Sequence, residues 1–209
     1  NGFEVSDNIP IVTMRIESIN GELANEIRQD STTKMKDWIL NREFRTTYRS
    51  NIINSEEIIA GDWIPKIEKG SPIFISISDN LVRDSGLELG DEIVFNVQGV
   101  SMKTKVGSVR KVDWSQIQPN FLLLFPSGVL ENAPQFSILS TFAANETISA
   151  DLQRTLVTKY PNITVLDLRQ IFTIVEDILD KISLVINFMA FFSILTGIIV
   201  LIGSVRNSK

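Results

Sequence analysis

The chain contains no cysteine and no histidine. Their absence removes disulfides, thiolate nucleophiles, imidazole general bases and nearly every structural zinc arrangement. A Ser-His-Asp triad cannot be assembled. No G-x-x-x-x-G-K-[ST] phosphate loop occurs, so the chain is not a P-loop ATPase. Asp, Glu, Lys, Ser, Thr and Tyr remain as reactive groups, and no spacing among them marks a hydrolase. Asp62 and Asp91 would mimic a carboxylate pair but have no acid/base companion. We assign no catalytic residue, no metal site and no cofactor to this chain. Formal net charge is −5 and the basic residues are dispersed, which argues against a nucleic-acid partner.

What the chain does have is one long apolar run near its C-terminal end. Residues Ile182 to Val205, ISLVINFMAFFSILTGIIVLIGSV, include no charge. At about 1.5 Å per residue a helix of this run reaches roughly 36 Å, enough to cross a hydrocarbon core of about 30 Å. The alternative, a core helix of a large soluble protein, would usually keep a polar edge. Arg206 and Lys209 follow the run, whereas the flank from Glu176 to Lys181 is net acidic. The positive-inside rule then places Lys209 in the cytoplasm and the preceding residues outside. The first residue is Asn1 rather than Met, and the sequence stops just after this crossing. Both points suggest a piece of a multi-pass membrane protein.

The polar part is long enough for one good core or two small ones. Ile9 to Ile19 alternates apolar and polar residues and runs into Asn20-Gly21, which predicts a half-buried strand and a tight turn. Residues 22 to 33 read as loop, and Lys34 to Leu40 as a short helix. Phe44 to Tyr48 and Ile58 to Gly61 read as strands. Ile73 to Ser78 predicts a strand, followed by a short helix capped by Asp79 and ended at Gly86. Strands are predicted over Glu92 to Val97, Lys103 to Val112, Asn120 to Pro126 and Phe136 to Thr141. Ile148, Leu152 and Leu156 form a helical stripe that ends before Pro161. Ile163 to Leu166 reads as a short buried strand. Asp167, with Gln170 three residues on, is a capping-box signature. No Gly or Pro then occurs before Gly197. The apolar positions Ile171, Val175, Ile178 and Ile182 make a coiled-coil-like seam. One continuous helix from Leu168 to about Val205 is therefore expected, 168–181 as a stalk and 182–205 as the membrane span; the alternative is a bend near Lys181.

Several stretches occur in an order that resembles one family. IPIVTMRIESINGE, LNREFRTTYRSNI followed by IIAGDW, ISISDNLVRDSGLELGDEIVFNVQG, VRKVDWSQIQPNFLLLFPSGVLENAP and YPNITVLDLRQI look like the extracytoplasmic domain of FtsX-like ABC transporter permeases, the YbbP-type branch above all. The resemblance implies an α+β domain over 1–167, with a β-rich, small-barrel subdomain at 70–115 inserted into an α/β porter-like subdomain. Relatives of the MacB type are lever machines, in which a cytoplasmic ATPase moves membrane helices and stalks carry the motion outward. The implied partners are an ATP-binding cassette subunit, which would bind the ATP, and the other half of the same permease or a second copy. Membrane lipid and an envelope partner protein complete the set. The implied substrate is hydrophobic or lipid-linked, and the location that the resemblance implies is the bacterial cytoplasmic (inner) membrane. An extracytoplasmic sensor domain of a signalling receptor and an anchored envelope enzyme are the alternatives.

Some residues invite individual roles. Asn187 is the one amide in the apolar run, suited to a hydrogen bond with a neighbouring helix. Ser193 and Gly197 form a small-xxx-small pair suited to helix packing. Trp63 and Trp114 either contact lipid or close local structure. Arg42 with Glu43, and Arg110 with Asp113, read as structural ion pairs.

Overall fold

A computed structural model describes residues 8–207 except Ser31, Lys69 and Ile117; of Gln170 and of 201–207 it describes the backbone path but not the side chains. The elements in chain order are β1 (Ile9–Ile19), β2 (Glu22–Leu23), α1 (Ala24–Gln29), α2 (Asp37–Asn41), β3 (Phe44–Tyr48), β4 (Glu56–Gly61), β5 (Ile73–Ser78), α3 (Asp79–Ser85), β6 (Glu92–Val97), β7 (Val100–Val112), β8 (Leu123–Phe125), β9 (Phe136–Ile138), α4 (Glu146–Lys159) and α5 (Leu168–Asn207). They divide into two compact units, the first ending at Thr141 and the second beginning at Phe142.

The first unit is a barrel. β1 pairs with β3, β3 with β8, β8 with β5, β5 with β7, β7 with β6, and β6 returns to β1. The β3–β8 and β5–β7 pairs are parallel and the rest of the ring is antiparallel. Closure requires the longest strands to bend, and bulges supply the bends: Glu17 is the extra residue on β1 where it pairs with β6, and Gly107 is the extra residue on β7 where it pairs with β5. At Gly107 a Cβ would come within 2.8 Å of the Phe74 side chain. Alternate residues of the ring fill the interior. Val12, Met14, Phe44, Ile75, Ile77, Ile93, Phe95, Leu123 and Phe125 are buried in one continuous core.

The ring takes β5, β6 and β7 from 70–115 but β1, β3 and β8 from the flanking stretches. The expected insertion boundary is therefore not a boundary in the strand pairing. Three strands of a small barrel cannot satisfy their own edges, and the flanking strands supply the partners. Of the flanking stretches, β1, β3 and β8 join this ring and α4 lies in the second unit.

Most predicted elements are present, and the differences have local causes. Residues 24–29 form α1 rather than loop, because the Glu26 carboxylate accepts the Leu23 N–H at the helix start and Ile27 is buried. The cap of α3 is Ser78, not Asp79: the Ser78 hydroxyl accepts the Leu81 N–H at 3.2 Å, and Asp79 stands in the first turn beside Arg83. Gly86 ends that helix in the left-handed region, φ 73°. Asn20 and Gly21 both have positive φ and form the two-residue turn between β1 and β2, with Ile19 opposite Glu22.

One polar cluster is sealed inside this unit. The Arg110 side chain is fully buried and donates to Glu56 Oε1 at 3.1 Å, to the Ser76 carbonyl at 2.7 Å and to the Phe121 carbonyl. Arg49 donates to the other oxygen of Glu56. Burial pulls the Arg110 guanidinium down to about 10, against the opposing pull of Glu56, so it stays charged at neutral pH. The expected pairing of Arg110 with Asp113 does not form: Asp113 instead accepts hydrogen bonds from Ser115 and Gln116 in its own turn. Arg42 and Glu43 likewise separate. Arg42 stacks over the Trp38 ring, 5.5 Å from its centre, and Glu43 faces Arg15 at 3.9 Å.

Arg110→Ala removes one member of a buried ion pair and strips two carbonyls of their donor. The expected loss is about 3–5 kcal/mol, read as a shifted midpoint in chemical denaturation of the chain in detergent. Glu56→Gln keeps a hydrogen-bond acceptor and should cost less. A loss below about 1 kcal/mol for Arg110→Ala, the scale of an exposed pair, would show that the cluster is not structural.

Candidate membrane-coupling helix

The second unit consists of α4, a short irregular connection and α5. Asn145 caps α4 by accepting the Ile148 N–H at 2.9 Å, and the helix closes where the Tyr160 N–H meets the Leu156 carbonyl, just before Pro161. Ile163 to Leu166 is not a buried strand. The segment carries no ladder, and Leu166 is 75% exposed, because no neighbouring strand in the described residues offers it an edge.

Asp167 anchors the start of α5. Its carboxylate accepts the Arg169 N–H at 3.0 Å, the Arg169 guanidinium at 3.2 Å and the Ser149 hydroxyl of α4 at 2.6 Å. Arg169 also donates to the Ala143 carbonyl at 3.3 Å. One carboxylate thus caps α5, ties it to α4 and orients the arginine that reaches back to the start of the unit. The expected capping partner Gln170 has its side chain outside the described residues. Sequence reasoning found Asp167 as a cap but missed Ser149 and Arg169. The Asp-x-Arg spacing was the available signal for Arg169; nothing local marked Ser149, 18 residues away.

From Leu168 the helix runs without interruption to Asn207, 40 residues, with no bend element at Lys181. At about 1.5 Å per residue its length is roughly 60 Å. The stretch Ile171–Val200 is long and apolar enough to cross a membrane, and none of it is buried within the chain. Within the crossing, Thr196 returns its hydroxyl to the Phe192 carbonyl, which satisfies that polar group without a partner helix.

Continuity fixes which side chains share a face. At about 100° per residue, Ile171, Val175, Ile178, Ile182 and Ser193 fall within a sector of about 60°, and Gly197 lies about 40° beyond it. All four seam residues are about half exposed. A Cβ at Gly197 would meet nothing within 4 Å. The stalk seam and the small-residue pair are therefore one uncovered stripe along one rod. Asn187 sits on another side, at least about 80° from every member of that stripe by the same count.

Other singled-out residues are placed as follows. Trp63 closes a loop by donating to the Ser50 carbonyl at 2.9 Å. Asp91 holds the turn before β6, accepting from Asn20 and from the Glu88 N–H. The Asp62 N–H bonds to the Gly107 carbonyl. Trp114 is 46% exposed and lines an open groove in the first unit together with Trp38, Arg42, Arg45 and Phe136.

No family model matches the sequence. Over 159 residues, 76% of the chain, it is 31% identical to the uncharacterized ABC transporter permease YbbP of Escherichia coli (strain K12). The chain belongs to the family of that ABC transporter permease. The matched stretch spans 18% of the relative's length. The permease relationship and the apolar α5 together mark a membrane protein. The α+β barrel and the long C-terminal helix agree with the fold class expected from the sequence.

The Asp167 cluster has a titration signature. Hydrogen bonds from the Arg169 side chain, from Ser149 and from the Arg169 backbone hold its carboxyl down to about 2, below the ordinary 3.8. Because the folded value is depressed, the cluster's contribution is complete above 3.8 and fades as pH falls from there through 2. An NMR titration of the Asp167 carboxyl carbon should give a midpoint near 2, moving toward 3.8 in Ser149→Ala. An ordinary aspartate midpoint in the unaltered chain would show that the cluster does not form in solution.

Proposed function

We propose that this chain is the extracytoplasmic domain and adjoining membrane helix of an ABC permease that transmits mechanical displacement. The observation that carries the reading is α5, a single helix of 40 residues with no glycine or proline before Gly197. A stiff rod conveys movement along its axis, whereas a flexible linker would dissipate it. ATP hydrolysis belongs to a separate cytoplasmic ATP-binding cassette subunit. The uncovered stripe from Ile171 to Gly197 suits the matching helix of the other permease half or of a second copy. The chain itself performs no catalysis. Displacement at the domain would move or release a hydrophobic or lipid-linked substrate, or engage an envelope partner protein.

Orientation is checked by labelling. The chain has no native cysteine, so an introduced one is the sole thiol in it. In intact cells an impermeant maleimide should modify Ser101→Cys and spare Asn207→Cys. The reverse pattern would overturn the orientation.

Coupling is checked by softening the rod. Replacing Ile178 and Leu179 by a Gly-Gly pair costs about 1 kcal/mol per residue in helix propensity; an Ala-Ala pair removes similar side chains but keeps the helix. In the full permease reconstituted with its ATPase in nanodiscs, ATP should change the distance between spin labels placed on the two extracytoplasmic domains. We expect the Gly-Gly variant to keep ATPase activity and lose most of that distance change, with Ala-Ala retaining it. Equal loss in both variants would assign the effect to seam packing rather than stiffness. A normal distance change in the Gly-Gly variant would also defeat the proposal.

A further inference from the structure

The groove in the first unit has a chemistry that the mechanical reading does not use. It encloses about 480 Å³, within the range of about 300–1,000 Å³ typical of small-molecule sites. Its walls are aromatic and aliphatic, with Trp38, Phe44, Trp114, Phe121, Leu122 and Phe136 prominent. Trp114, Phe136 and Ile138 are each more than a third exposed, whereas Phe44, Phe95 and Phe125 of the ring are buried. Among the described residues no acidic side chain lines it, although the chain as a whole is acidic.

Its polar groups are almost all donors. Arg42 and Arg45 stand on the wall, and among the described residues neither is in an ion pair. Glu43, between them in sequence, turns to Arg15 instead. The Arg42 guanidinium is held over the Trp38 ring, which limits its freedom before any ligand arrives. Three acceptors along this wall are already committed. Asn120 Oδ1 takes the Ser55 hydroxyl at 2.8 Å, the Phe121 carbonyl takes Arg110, and the Leu122 carbonyl takes the Ser78 N–H at 2.8 Å. Asn120 Nδ2 is itself used, on the Asp113 carbonyl.

Such a lining selects by elimination. A peptide would bring backbone N–H groups to a wall where these three acceptors are taken, and unpaired buried donors are costly. A cation would meet two guanidinium groups. A ligand with an acceptor-only head and an apolar body satisfies both halves, since guanidinium forks match carboxylate geometry and aromatic walls cover a hydrocarbon chain. The volume suits one chain rather than two. We propose that this groove binds a single-chain anionic amphiphile, a carboxylate head on a linear hydrocarbon tail, with Arg42 and Arg45 on the head and Trp38, Trp114 and Phe136 along the tail. As a candidate place for cargo the groove rests on the permease reading; as a binding site it stands without ATP turnover.

Photolabelling of the full chain in phosphatidylcholine nanodiscs tests this. The probes are dodecanoate and dodecanol, each with a diazirine at the tail end, and labelled peptides are mapped by mass spectrometry. Labelling of α5 from the bilayer serves as the internal standard. We expect dodecanoate to label peptides containing Trp38, Trp114 or Phe136 on the order of tenfold more than dodecanol does, as befits a charge-assisted head contact. Unlabelled dodecanoate should compete and inorganic phosphate should not. Arg42→Gln with Arg45→Gln should remove the preference for the carboxylate while leaving α5 labelling unchanged; both side chains are on the groove wall and outside the core, so folding should persist, as circular dichroism will report. Labels confined to α5, equal labelling by the alcohol, competition by phosphate, or an unchanged preference in the double variant would each overturn the proposal. Because the assay contains no ATPase, its failure would leave the mechanical reading untouched, and failure of the rod experiment would leave the groove untouched.

Discussion

Ring closure is the constraint on which the first unit depends. β6 pairs with β7 on one side and with β1 on the other, and that second pairing turns an open sheet into a barrel. Closure removes the edges that a strand-rich unit would otherwise expose. It also makes the interior a shared property of strands drawn from both sides of residues 70–115. The bulges at Glu17 on β1 and at Gly107 on β7, the latter with no side chain, are local concessions to that curvature. The Glu56–Arg110–Arg49 cluster sits where β4, β5 and β7 run side by side, and it ties the outer strand β4 to the ring by charge as well as by backbone pairing.

The second unit depends on a different rule. A helix with no internal breaker continues, and once it continues its two halves lose rotational independence. Positions chosen by two separate arguments, the seam from Ile171 to Ile182 and the small-residue pair Ser193 and Gly197, then lie along one stripe. They are exposed because no other described element of the chain packs on them. Asp167 matters here out of proportion to its exposure. By capping α5 and bonding to α4 at once, it makes the beginning of the rod part of a folded unit rather than a frayed end.

How far the sequence could be read varied with the range of the interactions involved. Strands with clean alternation, such as β1, β5 and β6, were legible to within a residue or two, as was the uninterrupted α5. The short helix α1 was not, because its capping came from a Glu three residues along in a polar stretch and its stability from burying Ile27. Ile163 to Leu166 failed in the opposite way: an apolar run suggests a strand, but a strand exists only if an edge is available to receive it. The ion pairs failed for the same reason. Arg110 ignored Asp113, close in sequence, for Glu56, which is 54 residues away and becomes its neighbour only when β4 pairs with β7.

By itself, then, the sequence determined what depends on composition and on neighbours within a helical turn or a pleat. That covers the exclusion of thiol, imidazole and phosphate-loop chemistry, the apolar span, the unbroken helix and most strand positions. Tertiary structure alone decided the barrel's membership, the burial of Arg110, the bond from Ser149 to Asp167 and the assembly of the groove. Trp38, Arg42 and Arg45 come from α2, the residue after it and β3, Trp114 from beyond β7, and Phe136 from β9. No local pattern joins them, because they become neighbours only when β1 pairs with both β3 and β9 and the ring closes beneath them.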